Sequence, residues 1–467
     1  MNSIFSWCKR FTRNINKYRL ITGIGFIAAM ALALTAPLPM PECDDWAYYY
    51  GVQNFAEGDL TIDSPTLYYE AYKTQQQGNV LIQYLPVGED EWALEKAPGS
   101  VFYLVPFYKM GIPRWGNVLL ALGMVIVTYV LLKRWRDEKA AMIGSLLVLF
   151  TPIAMVMCNR IYMDSYAALA FMVMGAGLYF YYHLERNVIK TVRGGVILFL
   201  AFLFIGWSVV CRYTNLPIAV ILFLHYAAIR FVDWRRGKNT GIPKEILPII
   251  LGIGIPMAGL FLYDYFIFGS PLSTGYSISP FPIKYAFQYW GQTDSAGALI
   301  PLEMLRFNIE GAARNLLLGL PLLFVGVPGF FLILYFKLFK RRQPEGKWSS
   351  LDKEMPWDIL IVLICWFLAV LVMNLTYEWL AGMREGGGFV LVNRFYLPWL
   401  LPVVIICALV MARFPHKALI PVLGILVVYG ALSYAQWIWE LHILPEWMTN
   451  SNYVWPPWMF ELYYHGP

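Results

Sequence analysis

Asp44 and Asp45 are adjacent carboxylates that follow closely on a first apolar span, Leu20 to Ala36, of about 17 residues, the lower limit for crossing a bilayer. Two neighbouring acids cost free energy to ionise together, a cost that a divalent cation with oxygen ligands removes. At a membrane surface such a pair points to chemistry. The plainer alternative is a pair that starts a juxtamembrane helix, since Asp is favoured at N-caps and acids suit the first turn. Other residues with chemical potential are Glu95-Lys96 before Ala97-Pro98, Arg160 with Asp164 four residues on, Arg212 between two apolar runs, and Arg394 opening Arg394-Phe395-Tyr396-Leu397-Pro398.

The elements that must position these residues are membrane helices. Hydrophobic residues make up 59% and charged residues 14% of the chain, against roughly 45–50% and 25% in soluble domains. Apolar runs predict helices near 20–36, 114–132, 139–157, 162–182, 194–211, 214–231, 246–268, 312–336, 357–374, 394–412 and 418–434, about eleven spans. The expected fold is therefore an all-α polytopic bundle, a single integral membrane domain over residues 1–467. The N-terminal span follows Lys9, Arg10, Arg13, Lys17 and Arg19 and leads into Pro37-Leu38-Pro39 rather than a small-residue cleavage site, so it reads as a retained helix.

The net charge of +6 is unevenly distributed. Bases gather in alternate connections: Lys133, Arg134, Arg136 and Lys139; Arg186, Lys190 and Arg193; Arg230, Arg235, Arg236, Lys238 and Lys244; Lys337 to Lys353; Arg413 and Lys417. The positive-inside rule then puts the N-terminus in the cytoplasm and makes the basic balance a topology signal rather than a nucleic-acid footprint. Val101 to Met110 is apolar but spans only about 15 Å, half a bilayer, and reads as an interfacial helix. The outer face then carries a large acidic first loop, residues 37–113, the loops 269–311 and 375–393, and an aromatic tail over 435–467.

Six cysteines are scattered without paired spacing and read as small apolar packing residues. The five histidines are equally dispersed, so no zinc site follows from local spacing. Gly386-Gly387-Gly388, between Arg384, Glu385 and Arg394, reads as either a flexible turn or a gate. The tryptophans and tyrosines of the tail suit anchoring at the membrane interface, with sugar stacking as the alternative.

Asp44-Asp45-x-x-Tyr48, Phe55-Ala56-Glu57-Gly58-Asp59-Leu60 and Glu95-Lys96-Ala97-Pro98 together resemble the first periplasmic loop of GT-C glycosyltransferases. The nearest relatives look like the protein O-mannosyltransferases and the aminoarabinose transferase acting on lipid A. Arg160-Ile161-Tyr162-Met163-Asp164 resembles a recurrent Arg-x-x-x-Asp element, Gly269 to Tyr276 a loop of many prokaryotic members, and Arg394 to Pro398 a late R-[FY]-x-x-P segment. Asp45 stands where Glu is common, and Ala97 separates Lys96 from Pro98.

The resemblance implies a GT-C-like bundle with juxtamembrane helices in the first loop. It also implies an inverting glycosyltransferase, moving a hexose or pentose from a polyprenyl-phosphate donor to a protein, glycan or lipid acceptor. The expected setting is a prokaryotic plasma membrane, with membrane lipids as further partners, no nucleic acid, and both active site and C-terminus external. The implied catalytic pair is Asp44 and Asp45, with Asp44 as general base. Lys96, Arg212 and Arg394 would hold the donor phosphate, and Glu95, Tyr48, Arg160 and Asp164 would support the site. A Mg²⁺ or Mn²⁺ ion on Asp44 and Glu95 would complete it. Each residue has a plainer reading: Lys96 a snorkelling anchor, Glu95 part of an acidic loop, Asp164 a helix cap, Arg212 a loop charge.

Two other functions compete. A transporter of lipid-linked sugars or polysaccharide would also use about eleven spans, but transporters place polar residues mid-span at broken helices, and Asp264 is the closest such case here. A structural subunit of an envelope-polymer assembly with a decayed site is the third reading.

Overall fold

The computed structural model describes residues 16–38, 43–73, 81, 83–186, 188, 191–237, 242–279, 284–293, 297–339, 351–377 and 393–438. The glycine triplet at 386–388 and the aromatic tail from 439 onward lie outside them.

Among the described residues nine helices are long and apolar enough to cross a membrane, or eleven when each of two bent helix pairs counts as one span. One pair, Glu138–Phe150 and Pro152–Asn159, bends by 55°. Thr151 sits in extended conformation before Pro152, as the residue preceding a proline tends to. The other pair is Ile300–Gly319 and Leu323–Phe339, interrupted around Pro321. Apolarity alone predicts a single helix over 312–336 there. The helix begins earlier because Glu303, Arg306 and Glu310 pair along its exposed face, with Arg306 Nε 3.1 Å from Glu310.

The bundle core is carried by Asp164–Glu185, Thr191–Cys211 and Pro113–Trp135, together with the almost wholly buried Leu400–Met411 helix. Its basic end is clamped by Glu354, which pairs with Arg136 and Arg413, each at 2.9 Å.

The first loop is a small folded unit with its own core of Ala47, Tyr48, Val52, Leu67, Tyr84, Leu94, Val101 and Leu104. Helix Cys43–Glu57 packs against helix Gly99–Lys109, the expected interfacial helix. An antiparallel sheet, which the all-helical expectation lacked, joins Ile62–Asp63, Tyr84–Pro86 and Glu91–Leu94, with the last strand central. Strands of two to four residues are too short for an alternating apolar pattern to register in sequence. Their role is positional, because Glu91–Leu94 runs straight into Glu95 and Lys96.

Candidate active site

One cavity of about 110 Å³ lies where the first loop meets the bundle. Its wall includes Asp44, Tyr48, Lys96, Asp164, Arg212 and Arg394, residues spread over most of the chain. Asp45 and Arg160 pair next to Asp44, and Glu95 pairs with Lys96, while Arg384 and Glu385 lie outside the described residues.

Asp44 and Asp45 share the first turn of helix Cys43–Glu57, where acids favour the helix dipole, yet their side chains serve different partners. Asp45 is buried against Arg160, with Oδ2 2.5 Å from Nη2 and Oδ1 3.1 Å from Nε. Arg160 occupies the turn between Pro152–Asn159 and Asp164–Glu185, so the pair bolts the first loop to the bundle. Asp44 instead faces the cavity and accepts a hydrogen bond from Arg394 Nη1 at 3.1 Å.

Backbone packing places Lys96. A Cβ on Gly99 would lie 2.5 Å from Cys211 N and 2.7 Å from Val210 O, and one on Gly275 would lie 2.7 Å from the Glu95 Cα. Only glycine permits approaches this close. The Glu95-Lys96-Ala97-Pro98 segment is thereby wedged between the Arg212 turn and the Gly269–Tyr276 loop. Lys96 Nζ stands 3.2 Å from Glu95 and 5.2 Å from the centre of the Tyr276 ring. It is mostly buried, which removes the snorkelling reading.

Arg212 reaches Ser165 Oγ at 2.6 Å and Asp164 Oδ1 at 3.7 Å. Asp164 lies inside the first turn of its helix while Met163 is the cap residue, so it does not act as a cap. Phe395 packs against two guanidiniums, that of Arg212 4.7 Å and that of Arg394 5.1 Å from its ring centre. Its backbone is held by Asn374, whose Nδ2 donates to Phe395 O at 3.0 Å.

Three cations, Lys96, Arg212 and Arg394, thus oppose two carboxylates, Asp44 and Asp164, leaving the cavity wall one positive charge in excess. Burial alone would raise the Asp44 pKa, but Lys96, Arg394 and Arg160 outweigh it and hold the carboxyl at about 2. Burial pulls the Lys96 ammonium down, and Tyr276, Asp44 and Glu95 reverse this and keep it well above the ordinary lysine value. Burial, reinforced by Asp164, keeps the Tyr48 hydroxyl protonated far into the alkaline range. The wall thus carries more positive than negative charge, with the Asp44 carboxylate held ionised among the cations.

The carboxylates expected to share a divalent cation, Asp44 and Glu95, each face a side-chain cation here, Arg394 for one and Lys96 for the other.

Sequence reasoning missed Tyr276, Tyr285, Asn374, Tyr377 and Phe395, which complete the wall. Three had visible signals: Tyr276 ends the Gly269–Tyr276 motif, Phe395 is the aromatic position of the Arg394 to Pro398 segment, and Asn374 is an amide at the end of an otherwise apolar helix.

Residues 90–266 match the family described as dolichyl-phosphate-mannose-protein mannosyltransferase. No curated protein matches the chain by sequence. The apo crystal structure of the Archaeoglobus fulgidus oligosaccharyltransferase is similar in fold, with a TM-score of 0.51 at 13% identity over 94% of this chain and 56% of that one. The same enzyme tethered to an acceptor peptide containing the NVT sequon gives 0.51 at 13% identity, over 90% and 55%. ArnT from Cupriavidus metallidurans bound to undecaprenyl phosphate gives 0.48 at 14% identity, over 91% and 65%. The chain spans little more than half the length of the oligosaccharyltransferase it resembles. It is an integral membrane protein with the GT-C fold, and over residues 90–266 it resembles the protein O-mannosyltransferases.

Proposed function

We propose that the protein is an inverting glycosyltransferase that moves a sugar from a polyprenyl-phosphate donor to a hydroxyl acceptor on the outer face of the membrane. The observation that carries this reading is the convergence of Lys96, Arg212 and Arg394 on one cavity with Asp44 at its wall. That the cavity lies at the opposite end of the bundle from the Arg136, Arg413 and Glu354 cluster supports the outward assignment through the positive-inside rule.

The acceptor oxygen attacks the anomeric carbon from the face opposite the phosphate, and its proton passes to Asp44. The bond from the anomeric carbon to the phosphate oxygen breaks, and polyprenyl phosphate departs with its electrons. Lys96, Arg212 and Arg394 neutralise the charge that grows on that leaving group. Tyr48, kept protonated, donates a hydrogen bond into the cavity.

The cations also set the timing. With the cavity free of substrate they pair with Asp44 and make it a weak base. An arriving phosphate draws the same cations, releasing Asp44 and raising its pKa towards a value useful for proton transfer. The isoprenoid chain lies in the bilayer beside the bundle.

The test is transfer from short-chain polyprenyl-phosphate sugars by purified protein, comparing wild type with Asp44→Asn and Lys96→Ala. The expected result is loss of turnover in both. Undiminished turnover in Asp44→Asn removes the base assignment, and movement of labelled lipid across proteoliposomes without cleavage marks a transporter instead.

A further inference from the structure

The fold assembles a second cluster far from this cavity, which no local spacing announces. His183, near the end of helix Asp164–Glu185, His225 on Leu216–Arg235, and Asp358 at the start of Trp357–Thr376 bring one ligand atom each to within 4.8 Å of one another. His183 Nε2 lies 2.9 Å and His225 Nε2 3.7 Å from Asp358 Oδ2. A zinc-like ion with bonds of about 2.0–2.2 Å in tetrahedral geometry sets its ligand atoms roughly 3.4 Å apart. These two distances need adjust by only a fraction of an ångström, while the third, between the two imidazole ligand atoms, closes from at most 4.8 Å by a side-chain rotation. Asp164 and His183 lie at opposite ends of one helix, so this cluster is well separated from the candidate active site.

The His225 side chain is buried, its Nε2 has no hydrogen-bond partner among the described residues and is directed at the cluster, and its Nδ1 lies 2.7 Å from the Tyr179 hydroxyl. When Nδ1–H donates to that hydroxyl, which can also accept, the Nε2 lone pair is left for a metal. His183 is held differently: Arg186 donates to its Nδ1 at 3.0 Å, which leaves the proton on Nε2, facing Asp358. Loading an ion therefore requires Arg186 to release Nδ1, so that the imidazole can shift its proton there and bind through Nε2. Arg186 is only part-buried at the helix end, so this release is sterically open, and Asp358 is 38% exposed, which gives an ion a path inward.

We propose that His183, His225 and Asp358 bind a divalent transition metal of the zinc type, with a fourth position open to water. Two imidazoles and one carboxylate suit zinc or cobalt rather than magnesium or calcium. The ion ties together three helices that are distant in sequence. Arg186 acts as a competing cation that weakens the site. Zinc binding here is independent of sugar transfer, so it survives any failure of the function proposed above.

The experiment uses tag-free, full-length protein in detergent, stripped with chelator and dialysed. Metal content after zinc loading is measured, and cobalt titration follows the ligand-field absorption of a low-symmetry site. Expected are one equivalent of zinc, at least ten-fold weaker binding in Asp358→Asn and His225→Ala, tighter binding in Arg186→Ala, and unchanged binding in Asp44→Asn. Size-exclusion profiles and helicity confirm that the variants fold. Absence of stoichiometric binding in both wild type and Arg186→Ala overturns the proposal, as does full binding in folded Asp358→Asn and His225→Ala, which would leave the triad a buried His–Asp ion pair.

Discussion

Arg394 Nη1 lies 3.1 Å from Asp44 Oδ2 although 350 residues separate them, closing the cavity between the first loop and the late helices. The base candidate and a phosphate-ligand candidate are thus one ion pair before substrate arrives. Replacing Arg394 by Gln removes a donor ligand and one of the charges that depress Asp44. The expected outcome is a KM for donor raised about ten-fold or more, since a hydrogen bond to a charged group is worth about 1.5–3 kcal/mol. Steady-state kinetics at varied donor concentration checks it. A variant with unchanged KM would show that the phosphate does not meet Arg394.

The charge balance of the cavity makes a prediction in pH. Asp44 titrates at about 2 in the folded protein, below its ordinary value of 3.8. The folded state therefore favours the ionised form, and the contribution, about 2 kcal/mol, is complete above roughly pH 4 and vanishes as pH falls through 2. Thermal unfolding of wild type and Asp44→Asn between pH 6 and pH 2 should show the wild-type advantage shrinking at the acid end. In transfer assays kcat/KM, which reports the free enzyme, should lack an acid limb at ordinary carboxylate pH. The limb in kcat should lie higher, because bound phosphate occupies the cations.

Asp45 and Arg160 predict a different phenotype. Both are buried to within 2% exposure, and removing one partner takes from the other the closest opposite charge it is held against. Asp45→Ala or Arg160→Ala should cost about 3–5 kcal/mol of stability. A double replacement by apolar residues of similar volume should recover much of it. Melting temperatures in detergent test this, with the singles expected to melt well below the double variant. Equal melting of all forms would mean the pair does not anchor the first loop.

Much of this arrangement is legible in sequence because charge is expensive in a membrane. Five charged residues near the ends of apolar runs, Asp44, Lys96, Asp164, Arg212 and Arg394, reach the cavity. What spacing cannot separate is the work of Asp44 from that of Asp45: they are neighbours in sequence, and helix geometry turns one to the cavity and the other to Arg160. Nor does it reveal Tyr285 and Tyr377, since aromatic residues at the end of a span are ordinary interface residues. The strand pairing Tyr84–Leu94 escapes because contacts between elements this short depend on the helices they lie against. His183 and His225 escape for a related reason: 42 positions apart on separate helices, they meet only when the helices pack.

Gly99 provides a test of positioning without any change of charge. A methyl group there would meet the backbone at Val210 and Cys211, which cannot rotate away as a flexible side chain would. Gly99→Ala should push the Lys96 segment off the Arg212 turn and lower transfer at least ten-fold, since an ångström-scale misplacement of positioning groups costs rates of up to about 10²-fold. Gly111→Asn, at a left-handed position with open space around it, is the control and should retain activity.

Phe395 makes the last prediction, because it supports two charged groups at once. Its ring contacts the guanidiniums of both Arg212 and Arg394, and each such contact is worth about 0.5–2 kcal/mol. Phe395→Leu keeps apolar bulk but removes the π faces, so both cations gain freedom while every charge in the cavity stays. The expected effect is weaker binding of lipid phosphate, seen as a higher KM for donor and a higher inhibition constant for polyprenyl phosphate product. The kcat should change less than in Asp44→Asn, since the base is untouched. Phe395→Tyr, which preserves the ring, should restore binding. A leucine variant that loses kcat with donor affinity intact would mean that the ring acts on the reacting sugar rather than through the two arginines.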